Sequence, residues 1–159
     1  MLLSCLFFLS FIYGFGQTEN DPIQKNDSLI YYSRLANNPT SSSSLTKAYV
    51  YFSALKDKSI TARDTLSTIS YLRQIAIIQF QLGDYYGSET SVISALHFLE
   101  NSDQNDSISE PKVGLYNELG QIHTNLLNYE TALKYFHAAL KIAKSKDNIN
   151  IIKNNIALI

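Results

Sequence analysis

The chain is poor in the residues that most often announce chemistry. One cysteine, Cys5, stands among 159 residues, so no disulfide framework can staple the fold. His97, His123 and His137 are the only histidines, and they show neither an HExxH pattern nor an i, i+4 pair. A metal site needs three or four converging ligands, so none is expected. The six glycines form no GxSxG, Walker or GxGxxG pattern. Neither an enzyme nor a cofactor is expected from such a set. An excess of one charge is missing as well. The 13 Lys+Arg and 14 Asp+Glu leave a net charge of −1, without the basic footprint that nucleic acid or an anionic membrane surface demands. No segment alternates apolar and polar residues with period two, which argues against a sheet.

Apolar residues, by contrast, make up 45% of the chain, enough for one domain with a real core. The opening stretch "MLLSCLFFLSFIYGFG" carries twelve apolar side chains in sixteen residues, and the first charge is Glu19. It is shorter than the ~20 residues of a spanning helix, and Gly14-Phe15-Gly16 supplies small residues around a cleavage site. Residues 1–16 therefore read as a secretory signal, with cleavage after Gly16 leaving Gln17 first. No Lys or Arg precedes the apolar core, so an upstream start, or retention of the segment as a membrane tether, stays open beside cleavage. Leu2-Leu3-Ser4-Cys5 looks like a lipobox, but most of the apolar run follows the cysteine, as an ordinary signal residue would have it.

Downstream, the 3.6-residue period dominates. Asp27-Ser28 reads as the cap of a helix over 29–36, broken by "NNPTSSSS", where Asn-Pro forbids helix before the proline. Ala48, Tyr51, Phe52 and Leu55 then fall on one stripe of a second helix. Thr61 and Asp64 read as a capping box opening a helix to Leu82, with Leu66, Ile69, Leu72, Ile75, Ala76 and Ile78 inward, and Gly83-Asp84 stops it. Val92, Ala95, Leu96 and Leu99 resume the period before a polar loop, "NSDQNDSISEP", ending at Pro111. Two more helices are expected over 112–126 and 129–146.

Shifting the chain by 44 residues aligns 119–145 with 75–101. Tyr129 falls on Tyr85, Phe136 on Val92, Ala139-Leu140 on Ala95-Leu96, and Gly120 on Ala76. Each unit is helix, tight turn, helix, with small residues where helices cross. Such a pair cannot cover its own apolar faces and must stack on neighbours.

These residues resemble the tetratricopeptide repeat family, whose pattern is an aromatic, Leu-Gly and Tyr on one helix, then Ala, an aromatic and Ala on the next. The better unit supplies Tyr116, Leu119-Gly120, Tyr129, Ala132, Phe136 and Ala139, the residues expected to pack the repeat. It departs at His123, where an aromatic is usual, and at Lys144, where a proline is usual. A weaker unit has Leu72, Ile75-Ala76, Gln79, Gly83, Tyr85, Ser88, Val92 and Ala95, and "YVYFSALKDK" fits the second helix of an earlier one. The resemblance implies an all-α fold of antiparallel helix pairs stacked as a right-handed α-solenoid. Its units would cover about 69–102 and 113–146, with a truncated one from 150 and a degenerate first repeat within 17–58. It also implies a groove lined by first helices, at Arg73, Ile77 and Phe80 and at Asn117, Gln121 and Thr124. Ordinary exposed helix positions would look the same. The two-carboxylate clamp of some members needs more Lys, Arg and Asn than Arg73 and Asn117 provide.

Lys134, His137, Lys141 and Lys144 recur on one helix face, as a solvated surface or a docking patch for an acidic partner. Asp103, Asp106 and Glu110 make the polar loop acidic. Asp27-Ser28-Leu29, Asp64-Thr65-Leu66 and Asp106-Ser107-Ile108 look like an O-glycosylation motif of exported bacterial proteins, with helix capping competing at each. The final "IIKNNIALI" places residues 153–157 in the register of 116–120, so it reads as the opening of another first helix in a longer repeat protein.

A signal followed by degenerate repeats suggests a non-catalytic scaffold for protein contacts in the envelope or periplasm of a Gram-negative bacterium. It resembles the sensory region of a histidine kinase or transcriptional regulator. The alternative is a stand-alone periplasmic or surface protein that binds peptide or carbohydrate. A protein or peptide partner is expected, and no nucleic acid.

Overall fold

A computed structural model describes residues 22–102 and 109–159; the signal segment and most of the acidic loop lie outside the described residues. Among the described residues seven helices follow in order: α1 Pro22–Asn37, α2 Ser42–Thr61, α3 Thr65–Gln81, α4 Tyr85–Glu100, α5 Ser109–Asn125, α6 Tyr129–Ile142 and α7 Lys146–Ala157. No strand occurs among the described residues.

Helix ends differ from the sequence expectation at several places. α1 begins at Pro22, whose fixed φ suits a first helical position, so Asp27 and Ser28 lie inside the helix and cap nothing. The serines expected to form a flexible break instead open α2. Ser41 is its N-cap, and Ser41 and Ser44 exchange reciprocal hydrogen bonds of 3.2 Å between backbone N–H and Oγ. Thr61 belongs to the last turn of α2, where its hydroxyl donates to the Asp57 carbonyl at 3.0 Å. Asp64 alone caps α3, accepting from the Ser67 N–H at 3.1 Å. α5 starts at Ser109, taking Pro111 into its first turn, where a missing N–H leaves no helical bond unmade. α6 stops at Ile142 because Ala143 turns extended, at φ −67° and ψ 130°. Lys144 is thereby outside the helix, and Lys146 starts the next one.

Each helix packs on its sequence neighbour, and α1 also touches α3 as α5 touches α7. Three apolar clusters run along the stack. The first joins Ala36, Leu45, Ala48 and Phe52 to Ile75 and Ile78 of α3. The second joins Ile69, Leu72 and Ala76 of α3 to Val92, Ala95 and Leu99 of α4 and Leu115, Leu119 and Ile122 of α5. The third joins Val113 to Ala132, Phe136, Ala139 and Ile152. α3 and α5 thus each serve two clusters, which is why both carry apolar residues around more of their circumference than one stripe requires. Leu66, placed inward by the period, is instead 56% exposed, while Thr68 and Ile69 beside it are buried.

The α2–α3, α3–α4 and α5–α6 turns share one construction. Arg63, Gly83 and Leu127 adopt φ of 56°, 80° and 58°. In each turn the left-handed residue's N–H returns to the carbonyl three residues back, and the following N–H to the carbonyl five back. The following residue, Asp64, Asp84 or Asn128, then caps the next helix. One residue therefore closes a helix and opens its partner.

Candidate functional site

Residues three and four apart on α3 and on α5 share a side of their helix. Ile77 and Phe80 of α3 and Gln121 of α5 line one cleft, together with Ala76, Gln81, Ser88, Val92, Glu118 and Ile122. Its volume is about 220 Å³. The floor is apolar, and the Ser88 hydroxyl there is already engaged, donating to the Ala76 carbonyl at 2.8 Å. Gln81 turns its amide N–H to the Ala36 carbonyl at 2.6 Å. The half-buried Gln121 amide has no hydrogen-bond partner among the described residues.

The other three groove candidates are engaged elsewhere. Arg73 reaches across from α3 to Glu118 of α5, with Nε 3.0 Å from Oε1 and a second contact from Nη2 to the same oxygen. Gly114 leaves room for the guanidinium: a Cβ there would stand 3.0 Å from Arg73 Nη2. The Asn117 side chain accepts from Asn155 Nδ2 of α7 at 2.9 Å. Thr124 donates to the Gly120 carbonyl of its own helix at 2.9 Å. Spacing along one helix gave no sign of Glu118, whose role depends on how far apart α3 and α5 stand.

Among the packing candidates, Leu119, Gly120, Ala132, Phe136 and Ala139 are buried. Gly120 lies against the Phe136 ring so closely that a Cβ would overlap it. Tyr116 stacks on Tyr135, centroids 6.2 Å apart. Tyr129 departs from expectation: at the first position of α6 it is 44% exposed, while Tyr85 in the corresponding place packs edge-on against Phe80 at 5.3 Å. Forty-four residues on from Phe80, α5 carries Thr124, which offers no ring in that place.

His123 is buried and stacks on Tyr135, 5.4 Å between centroids and 14° between planes. Its Nε2 lies 3.2 Å from Glu89 Oε1 of α4, off the line of a hydrogen bond. Burial, with the Glu89 charge behind it and Tyr116 after that, raises the Tyr135 phenol above its ordinary range. His97 and His137 are exposed. No three His, Cys, Asp or Glu converge on a metal-sized site among the described residues. Of the basic face, Lys134 pairs with Glu130 at 2.8 Å, while Lys144 sits beyond the end of α6. Ser28 and Thr65 of the glycosylation-like motifs are half-buried within helices, and 106–108 lie outside the described residues.

The helix order and packing match a solved structure, the TPR domain of Arabidopsis FLU. The likeness has a TM-score of 0.58 at 17% identity and covers 74% of this chain and 95% of that one. The fold is a tetratricopeptide-repeat solenoid. No protein-family model matches the chain, and no curated protein matches its sequence. Within this TPR solenoid the cleft opens between two first helices whose backbones barely approach each other. Arg73–Glu118 spans one end of that opening.

Proposed function

We propose that the chain is a non-catalytic interaction scaffold that docks a protein segment in the cleft between α3 and α5. The observation that carries this reading is the cleft itself: apolar walls, open to solvent, beside the half-buried Gln121 amide, which has no partner among the described residues. An extended or helical segment can bury an apolar anchor there while its polar backbone meets Gln121. The signal-like residues 1–16 support export, and on that reading the scaffold works in a bacterial envelope. Signal and repeats together favour a sensory region over a stand-alone binding protein. The units proposed for that region are 17–58, 69–102, 113–146 and one opening at about 150. No helix of the described residues is long and apolar enough to cross a membrane.

Crosslinking of the tagged full chain in envelope-bearing cells, with and without Ile77→Asp, tests the docking reading. The partner set is expected to disappear with Ile77→Asp and survive a substitution at exposed Lys141. An identical partner set in all three would refute it. A reporter fused after Gly16 tests export separately, and a reporter retained in the cytoplasm would remove the envelope assignment.

A further inference from the structure

Which chemistry the cleft accepts can be read from the state of its polar groups, an inference that rests on the docking reading above. Ala76, Ile77, Phe80, Val92 and Ile122 give it apolar walls. A dry apolar cavity of about 150 Å³ holds a benzene ring, so about 220 Å³ has room for one aromatic or branched aliphatic side chain. Glu118 is the charged residue in its lining, and Arg73 binds that carboxylate through two nitrogens. A carboxylate entering the cleft would meet Glu118 at short range and find the guanidinium taken. An ammonium would compete with a forked guanidinium, the better match for a carboxylate. Gln121, whose amide offers a donor and an acceptor without a partner among the described residues, suits a neutral backbone amide.

We infer that the cleft takes one uncharged apolar side chain, of leucine, methionine or phenylalanine size, from a partner segment whose backbone pairs with Gln121. Neither an acidic C-terminus nor a basic anchor is accommodated. Arg73–Glu118 acts as an internal neutral strap that sets the width of the cleft and offers no charge to the partner.

A random-peptide display selection against the full chain tests this, using peptides with free and with amidated C-termini. Enriched peptides are expected to share one uncharged apolar anchor and to bind equally with either C-terminus. Changing that anchor to Asp or Lys, or Ile77→Asp in the protein, should weaken binding by at least about tenfold. Gln121→Ala should weaken it by about threefold to tenfold. Lys141→Ala, on the exposed face of α6 and away from the cleft, should alter it by less than about threefold. Circular dichroism of each variant confirms retained helix, and Gln121→Ala keeps the test decisive should Ile77→Asp unfold. Peptides that bind at the cleft but require an acidic or basic residue, or a free carboxylate, would overturn the inference and leave the docking reading standing. No enrichment, or binding indifferent to both Ile77→Asp and Gln121→Ala, would overturn both.

Discussion

At the scale of single residues, the left-handed turn positions are the most exposed to test. Arg63, Gly83 and Leu127 share a backbone conformation that only glycine adopts without strain. Leu127 is also 72% exposed, so its side chain contributes little packing to set against that strain. Leu127→Gly is expected to stabilise the protein by about 0.5–1 kcal/mol, the relief of strain exceeding the added unfolded-state entropy. Gly83→Ala should destabilise it by about 1 kcal/mol even though nothing lies within 4 Å of the new Cβ. Urea midpoints at constant m separate the two, and shifts of the same sign would refute the common turn geometry. Tyr51 and Tyr135 carry a second prediction, because burial holds both phenols above their ordinary range. A raised folded-state value means the contribution is whole below about pH 10 and is lost as pH rises through it. Lys112, raised chiefly by its hydrogen bond to Glu100, acts in the same direction. Stability should therefore fall in alkali, and Tyr51→Phe with Tyr135→Phe should flatten that fall in melting curves taken between pH 9 and 12. An unchanged slope would show that these hydroxyls ionise equally in both states.

At the scale of helix pairs, the 44-residue offset is a trade of volume across one crossing. In α5–α6 the crossing is Gly120 under Phe136; in α3–α4 the same places hold Ala76 and Val92. Gly120→Ala should cost roughly 1–3 kcal/mol, since overlap with the ring outweighs the ~1 kcal/mol gained in helix propensity. Phe136→Val alone leaves a void, costing somewhat less than the ~3–5 kcal/mol of a Phe→Ala change. Made together they rebuild the α3–α4 crossing, so the double variant should be more stable than the sum predicts by about 1–2 kcal/mol. Additivity within ~0.5 kcal/mol in a double-mutant cycle would mean that the two crossings do not share a packing plan. That offset was legible because both crossings answer to the same geometry. Helix ends were less so: serine both caps helices and populates loops, and only the reciprocal Ser41–Ser44 bonds decide between them. The same holds for the groove. The family resemblance singled out Ile77, Phe80 and Gln121, which line the cleft, but the bonds of Arg73 to Glu118 and of Asn117 to Asn155 depend on distances between helices. A period along one helix carries no such information.

At the scale of the molecule, stability is distributed along a line. The middle cluster is bounded by apolar neighbours on both sides, whereas the first and third each have one. In such a stack each unit's stability is its own plus that of its interfaces, so opening should begin at the ends and reach α3–α4–α5 last. Phe52 makes this measurable. It is fully buried in the first cluster and lies near Tyr71 of α3, 6.2 Å between ring centroids. Phe52→Ala should remove about 3–5 kcal/mol from that cluster. If the stack behaves as coupled units, amide exchange should accelerate strongly in α1 and α2, moderately in α3, and hardly at all in α6 and α7. If instead the solenoid unfolds in one cooperative step, every slow amide should speed up by the same factor. Uniform acceleration would refute the linear picture. It would also mean that a partner seated between α3 and α5 stabilises the whole stack, where the linear picture confines most of that effect to the two units the cleft joins.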